Sequence, residues 1–209
     1  MKQTLLALSL ILILSACQSR EEKATALIEQ KLFTTLYDFD SYSPIETIVS
    51  EAKLSVFSDT TLYRKAQLAL FTFNRCQEAN EEAEDAKTHM DIWGPPTYYS
   101  SSYSDRQYRK YKDEYTEKKA EMMVSYELLK ELATQLKDTL STIDSAKVIG
   151  WEVQHRFRCK TKGGHSAIAD YRYILDKDLQ TILISEDMDD ENSKTLRILV
   201  TYIQDGFFD

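Results

Sequence analysis

Residues 149–159 read Ile-Gly-Trp-Glu-Val-Gln-His-Arg-Phe-Arg-Cys, and this stretch decides the fold. Its odd positions are apolar or aromatic apart from His155, whereas its even positions are glycine, charged residues or glutamine. Because side chains alternate between the two faces of a strand, this period of two predicts a β-strand with one buried face. The Lys-Gly-Gly-His sequence at 162–165 then predicts a hairpin turn, since glycine takes positive φ without strain.

Two more strands are predicted after this turn. Residues 166–175 alternate in the same way, with Asp170 and Arg172 on the outward face, and residues 181–185 follow a turn of aspartates. The apolar faces of the first two strands match when Asp170 stands opposite Arg156 or Arg158, which also pairs opposite charges. The C-terminal half of the chain therefore predicts an antiparallel sheet.

The segments at the two ends of the chain are less regular. The spacing of apolar residues predicts a helix over 22–37 and an extended strand over 43–57. The segment 193–205 is ambiguous, because residues 195–203 have a strand-like composition, but we favour a helix that is capped by Asn192 or Ser193 and stopped by Gly206. The apolar face of that helix would comprise Leu196, Leu199, Val200 and Ile203.

A long helical hairpin is predicted between the first strand and the rest of the sheet. Asp59-Thr60-Thr61 can cap its first helix, and Trp93-Gly94-Pro95-Pro96 ends that helix because consecutive prolines cannot continue it. Its second helix is predicted to run from Ser104 or Asp105 to about Ile143, with the hairpin tip at 91–103. Alternating steps of four and three favour antiparallel coiled-coil packing through Met122, Tyr126, Leu129, Ala133, Leu136, Leu140 and Ile143.

These elements together predict an α+β fold. An N-terminal helix packs on an antiparallel sheet, and the long antiparallel helical hairpin, residues 59–143, is inserted after the first strand. We predict a signal peptide at 1–16, a lipidated tether at 17–22 and a single α+β domain over 23–209.

The first 17 residues have the layout of a secretory signal. Lys2 precedes an apolar run from Leu5 to Leu14, and small residues lead to Cys17. The run is too short for a membrane-spanning helix, which needs about 20 residues. The formal net charge of −8 argues against general nucleic-acid binding, because contacts with phosphates supply most of that affinity.

Three segments resemble a known group of proteins. The Leu-Ser-Ala-Cys ending at Cys17 resembles the lipobox of bacterial lipoproteins. Residues 36–44, with an Asp-x-x-Ser-Tyr-x-Pro pattern, and residues 149–160, with Gly-Trp-x-Val-x-His-x-Phe-Arg, resemble the motifs of small uncharacterised lipoproteins of Gram-negative bacteria. The resemblance implies a shared fold and lipid modification of Cys17, which would attach the protein to a membrane. It implies no activity, and Cys159 departs from the small or apolar residue expected at its position.

The same resemblance bears on location. Gln18 stands where inner-membrane lipoproteins carry a retaining aspartate, so we expect a cell-envelope protein anchored in the outer membrane. Arg20-Glu21-Glu22 resembles the tether that exports some lipoproteins to the cell surface. Both the periplasmic face and the cell surface stay open.

Two cysteines remain after Cys17. Cys76 and Cys159 form an even pair, and in an oxidising compartment such a pair is a candidate disulfide. Two small buried thiols are an equal alternative.

Candidate catalytic and metal-binding groups are few. His155 could act as a base toward Cys159, but four residues along one strand separate them by about 13 Å. We therefore expect a core histidine that is hydrogen-bonded to Tyr171, Tyr173 or a backbone carbonyl. The acidic turn at 186–191 could attract a divalent cation, but it lacks the glycine and glutamate of an EF-hand loop. We predict no catalytic residue, cofactor or metal ligand, and keep His155 and the turn as the enzyme or metal-dependent alternative.

Two surfaces could bind a partner. The first is a basic stripe on the outer sheet face, for which pairing with Glu152 and Asp170 is the preferred interpretation. It comprises Arg156, Arg158, Lys160 and Lys162. The second is the hairpin tip, where six of the 13 tyrosines lie between Tyr98 and Tyr115 among serines. Tyrosine and serine together suit recognition of a protein or glycan. The candidate site comprises Trp93, Tyr98, Tyr99 and Tyr103.

The alternative for the tip is that Tyr108, Tyr111 and Tyr115 form the hairpin's own seam. Our leading hypothesis is a lipid-anchored envelope protein that binds a partner or serves in assembly and is not an enzyme.

Overall fold

The computed structural model describes residues 19–208. The elements in chain order are α1 (Arg20–Thr35), a 3₁₀ turn (Phe39–Ser41), β1 (Ser43–Lys53), α2 (Thr60–Trp93), α3 (Ser102–Thr142), β2 (Val148–Lys160), β3 (Ser166–Leu175), β4 (Ile182–Asp187) and α4 (Glu191–Gln204). The predicted α+β class, with a helical hairpin inserted after β1, is confirmed. The predicted signal peptide at 1–16, the predicted lipidation site Cys17 and Gln18 lie outside the described residues.

The chain forms two compact units. The first contains the described residues up to 60 together with 143–194, and the second contains 61–142 together with the residues from 195 onward. The predicted insertion at 59–143 therefore corresponds to most of the second unit, and the unit boundary falls within α4. That residues 23–209 behave as one domain stays a prediction. Within residues 19–208, no helix has both the length and the apolar character required to cross a bilayer.

The sheet of the first unit is antiparallel throughout, in the order β1-β2-β3-β4. Arg156 pairs with Asp170, which confirms one of the two predicted registers. Gly150 lies close to the neighbouring strand, where a Cβ would stand 2.1 Å from the Leu175 carbonyl oxygen. Only glycine fits this close backbone approach.

Helix α1 packs on the face of the sheet that carries the odd-numbered residues of β2. The buried residues of this core are Ala24, Ile28, Leu32, Val153, Phe157, Tyr173 and Leu175. The helix begins at Arg20, earlier than predicted, because Ser19 and Glu22 form a capping box. The predicted tether at 17–22 thus contains the first turn of α1. Strand β1 ends at Lys53 rather than residue 57, since the Ser58 hydroxyl holds a turn by donating to the Lys53 carbonyl.

The opposite face of the sheet is not simply solvated. Arg172 lies on this outward face, as predicted, but it is buried there and not in solvent, with only 6% of the residue exposed. Arg172 donates to Glu152 at 2.8 Å, to Glu186 at 3.3 Å and to the Phe57 carbonyl at 2.8 Å. These bonds compensate the guanidinium for lost hydration, which is why a charged residue tolerates this position.

The second unit is built on the antiparallel pair of α2 and α3. Lys65 bonds Gln135 near one end, Lys118 pairs with Glu82 in the middle, and His89 stacks on Tyr111 near the other end. Most of the buried seam consists of small residues and leucines, which allow the two helices to approach closely. Tyr126, predicted to lie in the seam, is instead exposed, and Ser125 is buried in its place.

The preferred C-terminal helix is present as α4, and all four predicted apolar residues are buried. Its cap is Asp190 rather than Asn192 or Ser193, because Asp190 Oδ2 accepts hydrogen bonds from the backbone of both residues. Gly206 ends the helix with a φ of 82°, and the Phe207 amide donates to the Tyr202 carbonyl. This is a Schellman motif, in which the rings of Tyr202 and Phe207, with centroids 4.9 Å apart, supply the usual hydrophobic contact.

Candidate functional site

The hairpin tip is the eight-residue connection between α2 and α3 with its flanking aromatic residues. Trp93 at the end of α2 packs edge-on against Tyr103 in the first turn of α3, with ring centroids 5.5 Å apart. Tyr98 and Tyr99 lie between them in sequence, with rings perpendicular to each other and centroids 5.3 Å apart, and are 95% and 93% exposed. The structure thus places the four predicted residues on one short segment, with Tyr98 and Tyr99 almost entirely in solvent.

Serine hydroxyls hold the tip in a defined conformation. Ser100 Oγ accepts from the Thr97 amide at 3.0 Å and donates to Asp105 Oδ1 at 2.5 Å. Ser101 caps α3 by accepting from the Ser104 amide at 3.1 Å. The predicted caps, Ser104 and Asp105, are wrong. The cap is Ser101, three residues before Ser104, and α3 therefore begins at Ser102. The turn that carries Tyr98 and Tyr99 is therefore bonded to the helix that follows it.

A shallow cleft on the first turns of α3 lies next in sequence to this segment. It has a volume of about 320 Å³ and is lined by Ser102, Asp105, Arg106 and Arg109. These positions share one helix face because their spacing is three or four residues. Our sequence reasoning missed this cleft, although four basic residues at 106–112 were its visible signal.

The remaining tyrosines of this region differ from those at the tip. Tyr108, Tyr111 and Tyr115 are half-buried, and Tyr111 stacks on His89 of α2 with centroids 4.7 Å apart. These contacts fit the seam that we set out as the alternative, whereas Tyr98 and Tyr99 are not part of it.

His155 is fully buried in the sheet face that α1 covers. Its Nε2 is hydrogen-bonded to the Tyr42 hydroxyl at 3.0 Å and its Nδ1 to the Thr47 hydroxyl at 2.9 Å. The predicted partners were therefore wrong, because β1 and the turn before it bring Tyr42 and Thr47 to the ring. Burial lowers the pKa of His155 and thus favours the neutral imidazole. With both nitrogens occupied, the ring is arranged for structure and not for proton transfer to a substrate.

Tyr42 shares this environment. Burial, with a smaller contribution from Glu29, raises its pKa to about 12. Its ring also stacks on Phe39, with centroids 5.2 Å apart. The hydroxyl therefore stays protonated and can serve His155 as a permanent hydrogen-bond partner.

The acidic turn at 186–191 has structural roles for several of its carboxylates. Asp187 accepts from the Asp189 amide, Asp190 caps α4, and Glu191 pairs with Lys194 at 2.8 Å. Glu186 belongs to the buried Arg172 cluster. Across residues 19–208, no group of three or more histidine, cysteine, aspartate or glutamate residues could hold a metal ion.

The basic stripe stays exposed on β2 and the turn after it. Asp170 faces Arg156 in the register, as predicted. Glu152, the other predicted partner, pairs instead with the buried guanidinium of Arg172, at 2.8 Å. Lys160 uses its backbone amide to donate to Ser41 Oγ at 2.8 Å.

Cys76 and Cys159 are free thiols in the structure, and they belong to different units. Cys76 Sγ donates to the Met122 carbonyl at 3.7 Å across the helical hairpin. Burial raises the pKa of both thiols, which reduces the thiolate fraction at neutral pH. A disulfide between them stays a prediction.

An apolar groove on the middle of the hairpin was not predicted. It has a volume of about 390 Å³. Its lining includes four exposed apolar side chains that are not among the predicted seam residues: Leu68, Phe71, Val124 and Leu128. The i, i+3 spacing of the first two and the i, i+4 spacing of the last two were the available signal.

Comparisons with protein-family models, with curated proteins and with solved structures found no match to this chain.

Proposed function

We propose that this protein is a lipid-anchored bacterial envelope protein that binds a partner through the tip of its helical hairpin and catalyses no reaction. The observation that carries the proposal is the near-complete exposure of Tyr98 and Tyr99 on a hydrogen-bonded turn. Large aromatic rings usually bury part of their surface. Because a hydrogen-bonded turn holds both rings in solvent, we infer that they form a binding surface for a partner.

The length of the hairpin supports this role. Helix α2 has 34 residues, which corresponds to about 50 Å at the rise of an α-helix. The tip therefore lies about that far along the hairpin from Thr60. Such a stalk lets a small surface reach a partner that the rest of the second unit does not touch.

The N-terminal anchor is supported by the start of α1. Only Gln18 and Ser19 stand between Cys17 and Arg20, so the acylated cysteine would lie within about 10 Å of the first helical residue. Arg20 is held over the Trp151 ring at 4.5 Å, which ties the first turn to the sheet. Lipid on Cys17 would thus hold the first unit close to the bilayer surface.

The enzyme alternative has less support. His155 has no exposed surface and both its ring nitrogens have partners. The carboxylates at 187–191 cap or pair with neighbouring groups. No observation at either place favours a reacting substrate.

The test is affinity capture from intact membranes with a Tyr98→Ala/Tyr99→Ala/Tyr103→Ala variant. We expect the variant to lose partners that the unchanged protein captures after cross-linking. The matched control is Tyr126→Ala, which removes an exposed tyrosine from the same hairpin away from the tip. Capture that is equal for all three proteins would reject the tip as the binding surface.

A further inference from the structure

We infer that the hairpin tip binds an anionic saccharide, such as a glycan that carries carboxylate or phosphate groups. This inference rests on the proposed function, because it names the ligand class of the same tip. Three observations carry it: the local charge, the cleft on α3, and the exposed aromatic rings.

The cations of this region lie on the first turns of α3, directly after the tip. Residues 94–112 contain Arg106, Arg109, Lys110 and Lys112 and one carboxylate, Asp105, whereas Asp91 precedes this segment and Asp113 and Glu114 follow it. The complete chain has a formal net charge of −8. A local excess of cations on an acidic protein attracts an anionic ligand to this segment and away from the remaining surface.

The cleft arranges two of these cations with a hydroxyl. Arg106 and Arg109 are three residues apart on one face of α3, where neighbouring Cβ atoms are about 5–6 Å apart. Within the described part of the chain, neither guanidinium makes an ion pair. Guanidinium groups bind carboxylate and phosphate oxygens in a bidentate manner, and the Ser102 hydroxyl adds a donor and an acceptor for a sugar hydroxyl.

The aromatic residues provide the surface for the sugar rings. A pyranose presents a face of C–H groups, which packs against the negative face of an aromatic ring. Tyr98 and Tyr99 leave their rings open for such contacts, and their hydroxyls can bond sugar hydroxyls. Because Ser100 bonds both Thr97 and Asp105, the turn with the tyrosines is connected to the helix face with the arginines.

The small size of the tip favours a saccharide over a protein. The connection has eight residues, whereas a stable protein interface uses about 20–30 residues on each side. A nucleic acid could also use tyrosines and arginines. However, its affinity grows with the number of phosphates neutralised, and the segment offers only four cations on an acidic chain.

The test measures binding of the detergent-solubilised full-length protein to polygalacturonate, with dextran as the neutral saccharide. Polyglutamate and a single-stranded oligothymidylate represent the acidic protein and the nucleic acid. We expect saturable, salt-sensitive binding to polygalacturonate and none to dextran. Loss of two charge-assisted contacts in Arg106→Gln/Arg109→Gln should weaken binding about tenfold or more. Tyr98→Ala/Tyr99→Ala should weaken it as well.

The matched control is Arg156→Gln/Arg158→Gln, which removes two exposed arginines from the basic stripe on β2. We expect this control to bind as the unchanged protein does. The inference is overturned if polygalacturonate does not bind, if the control loses binding equally, or if polyglutamate or oligothymidylate binds as tightly. If membrane capture still depends on Tyr98 and Tyr99 in that case, the proposed function survives with another ligand.

Discussion

Two aromatic clusters of this protein have similar composition and opposite surroundings. In the first unit, Tyr42, His155 and Phe157 form a chain of ring contacts on the sheet, with neighbouring centroids 5.4–6.0 Å apart. In the second unit, Trp93 and Tyr103 form one edge-on pair at the tip, beside the exposed pair of Tyr98 and Tyr99. The first cluster is buried or half-buried and its polar atoms have partners, whereas the second leaves two rings in solvent.

The difference shows that backbone context, and not aromatic content, separates a core from a candidate binding surface. Strand β2 alternates strictly, so each of its aromatic residues on one face meets α1 or a neighbouring strand. The tip contains two prolines and a run of serines, so neither period two nor helical spacing directs its rings inward. The following predictions test whether the two clusters differ in this way.

The largest effect should come from truncating the buried cluster. Phe157→Ala removes a fully buried ring and should lower the free energy of unfolding of the first unit by about 3–5 kcal/mol. Tyr98→Ala/Tyr99→Ala should change stability by less than about 0.5 kcal/mol, because both rings are exposed. Urea unfolding is followed by Trp151 fluorescence in a Trp93→Phe background, which reports on the sheet, and by circular dichroism, which also reports on the helical hairpin. Equal losses in both variants would contradict the assignment of the tip as solvent-exposed.

A second large effect should appear at the buried ion cluster beside the aromatic face. Arg172→Met leaves Glu186, whose side chain has no exposed surface, without its guanidinium. Breaking a buried pair on one side costs about 3–5 kcal/mol, although the methionine recovers part of the packing. Arg75→Met is the control, since it breaks the exposed pair with Glu121 in the hairpin and should have little effect. The same urea midpoints measure both, and a harmless Arg172→Met would show that the cluster does not stabilise the sheet.

A smaller effect is expected from one hydroxyl. Tyr42→Phe keeps the ring but removes the hydrogen bond to His155 Nε2, which should cost about 0.5–1.5 kcal/mol. Tyr99→Phe at the tip, where no hydrogen bond of the hydroxyl stabilises the fold, should leave the midpoint unchanged. If both substitutions are silent, the Tyr42 hydroxyl contributes nothing to the core.

The smallest effect concerns one proton on His155. Its pKa is lowered by burial in the folded state, so below its ordinary value of 6.5 the unfolded state binds the proton more readily. Stability should therefore be complete above pH 6.5 and should decrease as the pH falls below that value. His155→Gln should make the urea midpoint less sensitive to pH between 7 and 5. An identical pH dependence in the two proteins would contradict a buried neutral imidazole.

Much of the sheet could be predicted because the relevant information is local. Alternation in β2 and β3, together with the glycine turn between them, leaves few registers that match both the apolar faces and the charges of Arg156 and Asp170. The hairpin could be predicted for a similar reason, since two long periodic segments flank a pair of prolines.

The errors arose where the deciding contact is distant in sequence. Tyr42 and Thr47 reach His155 across more than 100 residues, and no spacing rule indicates this. Arg172 was predicted to face solvent because charged residues usually do, and only the fold brings Glu152 and Glu186 to it. The aromatic and serine composition of the tip is visible in the sequence. The exposure of Tyr98 and the cleft beside Arg106 depend on the three-dimensional structure.

The central claim is that the tip tyrosines meet a partner in the cell envelope, and hydroxyl-radical footprinting tests it most directly. Oxidation of Tyr98 and Tyr99 is compared between the purified protein and the protein in intact envelopes, with exposed Tyr37 as the reference. We predict that Tyr98 and Tyr99 react readily in the purified protein and are protected in the envelope, relative to Tyr37. Equal reactivity of Tyr98 and Tyr99 in both preparations would contradict the claim.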